Sequence, residues 1–267
     1  MPDKFGILFI GDLIGRPGRR ALAQFLPELK KKYQPELIVA NAENAAGGNG
    51  LTEEIGKELF FQVDVLTSGN HIWDKKEVLN YLEKEPRLLR PANYPAGNPG
   101  HGYYIYRNEN GIKAAVLNLQ GRVFMEPIEC PFRQADRELE KILAITPIVI
   151  IDFHAEATSE KQALGWYLNG RVSAVIGTHT HTATADERIL PGGTAFLTDV
   201  GMAGGLNSVI GMKPEQALQR FLTSRPQRFE PATEGLLLNA VFISIDPSSG
   251  KALSIKRETM IEEKSEE

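Results

Sequence analysis

Five short apolar runs, Phe5–Gly11, Leu37–Ala40, Val63–Thr67, Pro147–Phe153 and Val172–Gly177, recur along the chain, and each gives way abruptly to polar residues. All are too short and too rich in Val and Ile for helices, so they read as buried strands. Amphipathic stretches at Arg19–Tyr33, Glu53–Gln62 and Lys75–Glu83 separate the early runs. That alternation predicts a largely parallel sheet with helices outside it. After Pro91 the pattern changes. Gly97-Asn-Pro-Gly100 is a turn cluster, and Tyr103–Arg107 with Lys113–Leu119 flank Asn108-Glu-Asn-Gly111 as a hairpin. Late strands at Thr194–Asp199, Leu236–Ile245 and Ala252–Arg257 have only one candidate helix among them, Pro214–Thr223. A second mixed sheet packed on the first accounts for this, giving an α/β fold, a four-layer α/β/β/α sandwich. No repeat or linker divides the chain. The expected organisation is a single domain over 1–257 and a frayed acidic tail over 258–267, which carries five Glu.

The polar residues that end the runs carry the chemistry. They are Asp12; Asn41, Glu43 and Asn44; Asn70 and His71; His154; and His179 with His181. In open α/β sheets the carboxyl ends of parallel strands form the ligand-binding edge, so these residues are expected to gather. Imidazole, carboxylate and amide donors without thiolate suit Fe or Mn first, and Zn as well. Six of them, Asp12, Glu43, Asn70, His154, His179 and His181, are too many for one tetrahedral ion. They suit two ions about 3.5–4 Å apart with one carboxylate shared, an arrangement that clamps the attacking and leaving oxygens of a phosphate ester.

Each residue has a plainer reading. A carboxylate after a first strand is often a cap, an Asn in a Gly-rich stretch a turn former, and a lone His after an apolar run a satisfied core residue. Glu43 stands out because the set otherwise lacks a second carboxylate. His179 and His181, two apart, point the same way in extended chain. Arg16 and Arg122 are candidate phosphate clamps, since a guanidinium matches phosphate oxygens, with surface salt bridging as the alternative. The Gly-rich segment 200–206 suits either a lid or a subunit contact, and His101 reads as surface.

The composition is that of an ordinary globular protein: 267 residues, 42% hydrophobic and 24% charged. A single cysteine, Cys130, fits a reducing compartment. No stretch approaches the roughly 20 apolar residues of a membrane span, and the N-terminus lacks signal-peptide character, so a cytoplasmic protein without membrane association is expected. The net charge of −4 argues against a broad nucleic-acid surface.

Gly11-Asp12, Gly69-Asn70-His71, His154 and Gly177-Thr-His-Thr-His181 resemble the signatures of the calcineurin-like metallophosphoesterases. Two departures narrow the resemblance. Asp12 is followed by Leu13-Ile14 instead of Asp-x-His, and Glu43 replaces the usual bridging Asp. With Gly11–Gly18, Leu89–Tyr94, Asn118–Met125 and Asp152–Ala157, these features look like the YmdB-type subfamily of bacterial cyclic-nucleotide phosphodiesterases, over about residues 5–257.

The resemblance implies the same sandwich fold. It also implies one ion on Asp12, Glu43, Asn44 and His181, and another on Glu43, Asn70, His154 and His179. Asn44 would stand where the missing histidine usually is. The expected reaction is hydrolysis of small cyclic nucleotides, 2′,3′-cyclic phosphates first, by a hydroxide bridging the ions, with His71 as general acid. Members of the subfamily are associated with control of RNA turnover, so a protein partner there is a further expectation, and a homo-oligomer is expected as well. Two rivals stand beside this reading: a regulatory nucleotide- or partner-binding protein with only slow hydrolysis, and a nuclease acting on polymers, which the acidic charge disfavours.

Overall fold

The computed structural model describes residues 4–263. Its first half runs β1 (Phe5–Ile10), β2 (Asp12–Leu13), α1 (Gly15–Tyr33), β3 (Leu37–Asn41), α2 (Glu53–Phe60), β4 (Val65–Thr67), a 3₁₀ turn (Asn70–Trp73) and α3 (Val78–Lys84). The middle comprises β5 (Tyr103–Arg107), β6 (Lys113–Gln120), α4 (Pro131–Ile142), β7 (Val149–His154), α5 (Thr158–Tyr167) and β8 (Ala174–Thr178). It ends with β9 (Arg188–Ile189), β10 (Ala195–Leu197), β11 (Met202–Gly205), α6 (Pro214–Thr223), β12 (Leu236–Ile245) and β13 (Ala252–Ile261).

Two mixed sheets face each other. In the first, β1, β3 and β4 are parallel, and β12 joins β1 antiparallel with Ile10 opposite Ala240. Both β11 and β13 pair with β12. The second has the order β5-β6-β7-β8-β10-β9, parallel from β6 to β10 with antiparallel edges. Phe5, Ile7 and Phe9 of β1 point between the sheets towards Val116, Ile150 and Ile176, whereas Leu8 and Ile10 face α1 through Leu22 and Leu26. Successive side chains leave a strand on opposite faces, so a strand covered on both sides must be apolar throughout. On the far side, α4 and α5 cover the second sheet through Leu139, Ile142 and Leu164. The result is the four-layer α/β/β/α sandwich.

The strands are distributed between the sheets differently from the sequence expectation. β12 and β13 complete the first sheet, while β7 and β8 belong to the second. Pairing across more than 200 residues places β12 against β1, and no local pattern encodes it. Part of the expected frayed tail is ordered strand: Glu258 pairs with Ala240 and Ile261 with Leu237. Residues 264–267 of that tail lie outside the described residues.

Most of the Gly-rich 200–206 segment is β11, fully buried and paired with β2 and β12, so it serves as neither a lid nor an exposed contact. Close backbone packing calls for glycine at Gly205, where a Cβ would lie 2.3 Å from the Ala232 carbonyl oxygen. A Cβ on Gly11 would lie 2.1 Å from the Gly201 carbonyl oxygen.

Candidate metal centre

Both sheets deliver side chains to one place. From the first come Asp12, Glu43, Asn44 and Asn70, which follow or end β1, β3 and β4; from the second come His154 at the end of β7, and His179 and His181 just after β8. His154 Nε2 lies 3.1 Å from Glu43 Oε1 and 3.0 Å from His179 Nδ1. Asp12 Oδ1 is 3.9 Å from His154 Nδ1 and 4.0 Å from His181 Nε2. Asn44 offers its NH₂ to Glu43 Oε1 at 3.0 Å and to His181 Nε2 at 3.1 Å. A half-turn of that amide would present Oδ1 to the same spot.

Among the described residues two groups of ligand atoms arise, Glu43–His154–His179 and Asp12–Glu43–His181, each within 4.8 Å, and Glu43 belongs to both. Room for them depends on Gly69. A Cβ there would come within 2.2 Å of His154 Nε2 and 2.5 Å of Glu43 Oε2.

The surroundings fix which ring nitrogens face inward. Thr178 Oγ1 donates to Asp152 Oδ1 at 2.7 Å, so it accepts from His154 Nδ1–H at 2.9 Å. His181 Nδ1–H donates to the Ile210 carbonyl at 2.9 Å, and His179 Nε2 faces Glu156 Oε2 at 3.1 Å. In its neutral form each ring therefore turns a lone pair to the centre, the usual preparation of a metal-binding histidine by an outer partner. Two further acceptors lack a hydrogen-bond donor among the described residues: Asp12 Oδ1, which faces the cluster, and Asn70 Oδ1, buried at the start of the 3₁₀ turn. Buried polar atoms normally have partners. These carbonyl, carboxylate and imidazole donors fit divalent ions.

The electrostatics describe the same crowding. Burial pushes Asp12 well above the carboxylate range, opposed by His154 and reinforced by Glu43. Burial also works against a charged Glu43, but His154 outweighs it and holds the carboxyl down at about 2. His154 is disfavoured as a cation by burial, yet Glu43, Asp12 and Asp152 raise it to about 9. His179 falls to about 3 through burial and the neighbouring His154. The carboxylates that raise His154 are the ones a cation between Glu43, His154 and His179 would meet.

The histidine loop is held in unusual backbone. His179 has φ +100° and His181 φ +62°, left-handed values that cost a residue other than glycine roughly 1–3 kcal/mol and persist only where the surroundings enforce them. Asp199 supplies that enforcement. Its Oδ2 accepts from Thr180 N at 3.1 Å, Thr180 Oγ1 at 2.8 Å and Lys161 Nζ at 2.7 Å. Lys161 and Asp199 are each only 1% exposed. Breaking a buried pair leaves a charge uncompensated, at a cost of about 3–5 kcal/mol. Lys161→Met should therefore lower the denaturation midpoint by that equivalent. A melt indistinguishable from wild type would mean that Asp199 does not depend on the lysine.

The structure does not bring every expected residue to the site. Arg16 and Arg122 are exposed, neither lines the cavity at the centre, and Arg122 is engaged through its main-chain N–H, which donates to Glu160. Arg220 of α6 is instead the one Arg or Lys among the described residues that line this cavity of about 540 Å³. Asp152, Glu156, Thr178 and Asp199 escaped sequence reasoning. A signal existed for Asp152, which sits two residues before His154 and so on the same strand face. His71 lines the cavity, is 40% exposed, and directs Nδ1 at Asp74 Oδ2, 2.9 Å away.

Facing mixed sheets with helices outside and a ligand-rich end define a sandwich of the metallophosphoesterase type. The sequence profile of the YmdB-like protein family matches residues 8–258, and the chain belongs to that family. It is 51% identical over 252 residues to a Bacillus subtilis (strain 168) protein named 2′,3′-cyclic-nucleotide 2′-phosphodiesterase, covering 94% of this chain and 95% of that one. A novel phosphatase from Mycoplasma pneumoniae superposes with TM-score 0.92 at 35% identity, covering 98% of this chain and 95% of that one. A hypothetical protein from Thermus thermophilus gives TM-score 0.91 at 42% identity, with 97% and 100% covered. No helix among the described residues is long and apolar enough to cross a membrane.

Proposed function

We propose that this chain is a metal-dependent phosphodiesterase that opens 2′,3′-cyclic nucleotides at the 2′ bond. The observation that carries the reading is the pair of ligand groups meeting at Glu43, with inward ring nitrogens fixed by outer partners and the orphaned Asp12 Oδ1 beside them. Asp12, Glu43, Asn44 and His181 would hold one ion, and Glu43, Asn70, His154 and His179 the other. Such a pair supplies positive charge against the phosphate oxygens and a nucleophile at neutral pH. The name of the Bacillus subtilis relative points to the substrate class.

The chain's own part in the reaction centres on His71. Water adds its oxygen to phosphorus and releases a proton to solvent, the P–O2′ bond breaks, and the departing alkoxide takes a proton from His71 Nε2, leaving a 3′-phosphate; His71 regains its proton from solvent before the next turnover. Asp74 Oδ2 holds the opposite ring nitrogen, and Asn49 Nδ2 steadies that carboxylate at 2.8 Å, so Nε2 is the nitrogen presented to substrate. A cavity with Arg220 as its only Arg or Lys among the described residues has little fixed charge for a dianionic monoester.

Two measurements test the proposal. Elemental analysis of anaerobically purified protein should find about two ions per chain, Fe or Mn foremost, and 2′,3′-cAMP should be hydrolysed to adenosine 3′-monophosphate. Preparations active with a single bound ion would overturn the paired site. Bis-p-nitrophenyl phosphate should also be cleaved faster than p-nitrophenyl phosphate under saturating Mn²⁺, and a clear monoester preference would count against a diesterase.

A further inference from the structure

The wall of the cavity facing the ligand cluster is apolar. Val209, Ile210, Met212, Phe221 and Phe229 form it, and Phe221 is 80% and Phe229 41% exposed. A cyclic phosphate ring is small and polar and has no use for such a wall, whereas a nucleobase offers a flat π-face that stacks on aromatic side chains. Position favours the same assignment. If His71 protonates the leaving oxygen, the nucleoside lies on the His71 side. A second cavity of about 600 Å³ adjoins the first there, and His71, Met212 and Phe229 line both.

Helix α6 separates this wall from its own outer surface. Ala217, Arg220 and Phe221 line the cavity at helical spacing, whereas Leu218 and Leu222, 57% and 83% exposed, stand outside it.

We infer that Phe229, with Phe221 on the same cavity wall, is the nucleobase-stacking subsite, and that it makes the enzyme select cyclic nucleotides over base-free cyclic phosphates. This rests on the phosphodiesterase reading. Stacking reads shape more than hydrogen-bonding pattern, so purines are preferred to pyrimidines without strong discrimination between adenine and guanine.

The test compares kcat/KM for 2′,3′-cAMP with that for methyl β-riboside 2′,3′-cyclic phosphate in wild type, Phe229→Ala, Phe221→Ala and Leu222→Ala. Wild type should favour the nucleotide. Phe229→Ala should reduce that ratio roughly 10-fold or more, mainly through KM, as expected for one lost base–aromatic stack, and Phe221→Ala should reduce it less. Leu222→Ala should keep the wild-type ratio. Calorimetry with adenosine 3′-monophosphate should show the same order of weakening.

An unchanged ratio in both Phe variants would overturn the subsite while leaving the phosphodiesterase standing. So would a changed oligomeric state in Leu222→Ala combined with unaltered nucleotide preference in the Phe variants, which would make the α6 face a protein contact. A wild type that turns over neither cyclic phosphate would bring down the functional reading and the subsite together.

Discussion

Glu43→Ala should leave the purified protein without either ion and reduce kcat/KM on 2′,3′-cAMP by far more than about 100-fold, the upper range for losing a residue that merely supports a ligand. Glu43 is 1% exposed and belongs to both groups of ligand atoms, so its removal dismantles the two together. Its Oε2 also accepts the His71 main-chain N–H at 3.0 Å, tying the 3₁₀ turn to the centre. Ala opens a hole beside His154 and alters packing as well as charge. Glu43→Gln supplies the control, because it keeps the volume and one acceptor oxygen while removing the charge that two cations would share. Both variants should retain a cooperative melt and lack stoichiometric metal by elemental analysis. Wild-type metal content with wild-type rate in Glu43→Ala would show that this carboxylate is not shared between ions.

Legibility in the sequence differs between parts of this centre for physical reasons. Asp12, Glu43, Asn70 and His154 each follow an apolar run, and strand ends are where a sheet exposes chemistry, so their gathering was readable without knowing which sheet each strand joined. Sheet membership itself was not readable. β12 reaches β1 from the far end of the chain, a pairing fixed by tertiary packing. Helix α5 lacks a clean apolar stripe because it buries Glu160 and Lys161 beside Leu164, each charge answered by a distant partner: Glu160 by the main chain at Arg122 and Val123, and Lys161 by Asp199. The strand β11 carries glycines where β-branched residues would normally mark a strand, Gly205 against the Ala232 carbonyl and Gly204 against the Ile14 side chain. Tertiary folding also decides which cation reaches the site. Arg16 and Arg122 lie near signature residues in sequence, yet Arg220 reaches the cavity because α6 folds over it.

The general-acid assignment of His71 leads to a contrast between substrates. His71→Ala should keep metal content, because the residue's link to the cluster is its main-chain N–H, which any replacement other than proline retains. Its imidazole instead lies in the cavity, 40% exposed and oriented by Asp74. Loss of one positioned proton donor should slow opening of 2′,3′-cAMP by roughly 10²–10⁴-fold, since a ribose alkoxide is a poor leaving group that needs the proton as the bond breaks. p-Nitrophenolate departs without that help, so the loss on bis-p-nitrophenyl phosphate should be much smaller. Asp74→Asn should fall between wild type and His71→Ala on the cyclic nucleotide, because the ring stays but loses the carboxylate that orients it. Equal losses on both substrates would point to general disruption of the site, and loss of an ion would make His71 a ligand. A large gap between the substrates with metal retained is the outcome that only a proton donor to the leaving oxygen produces.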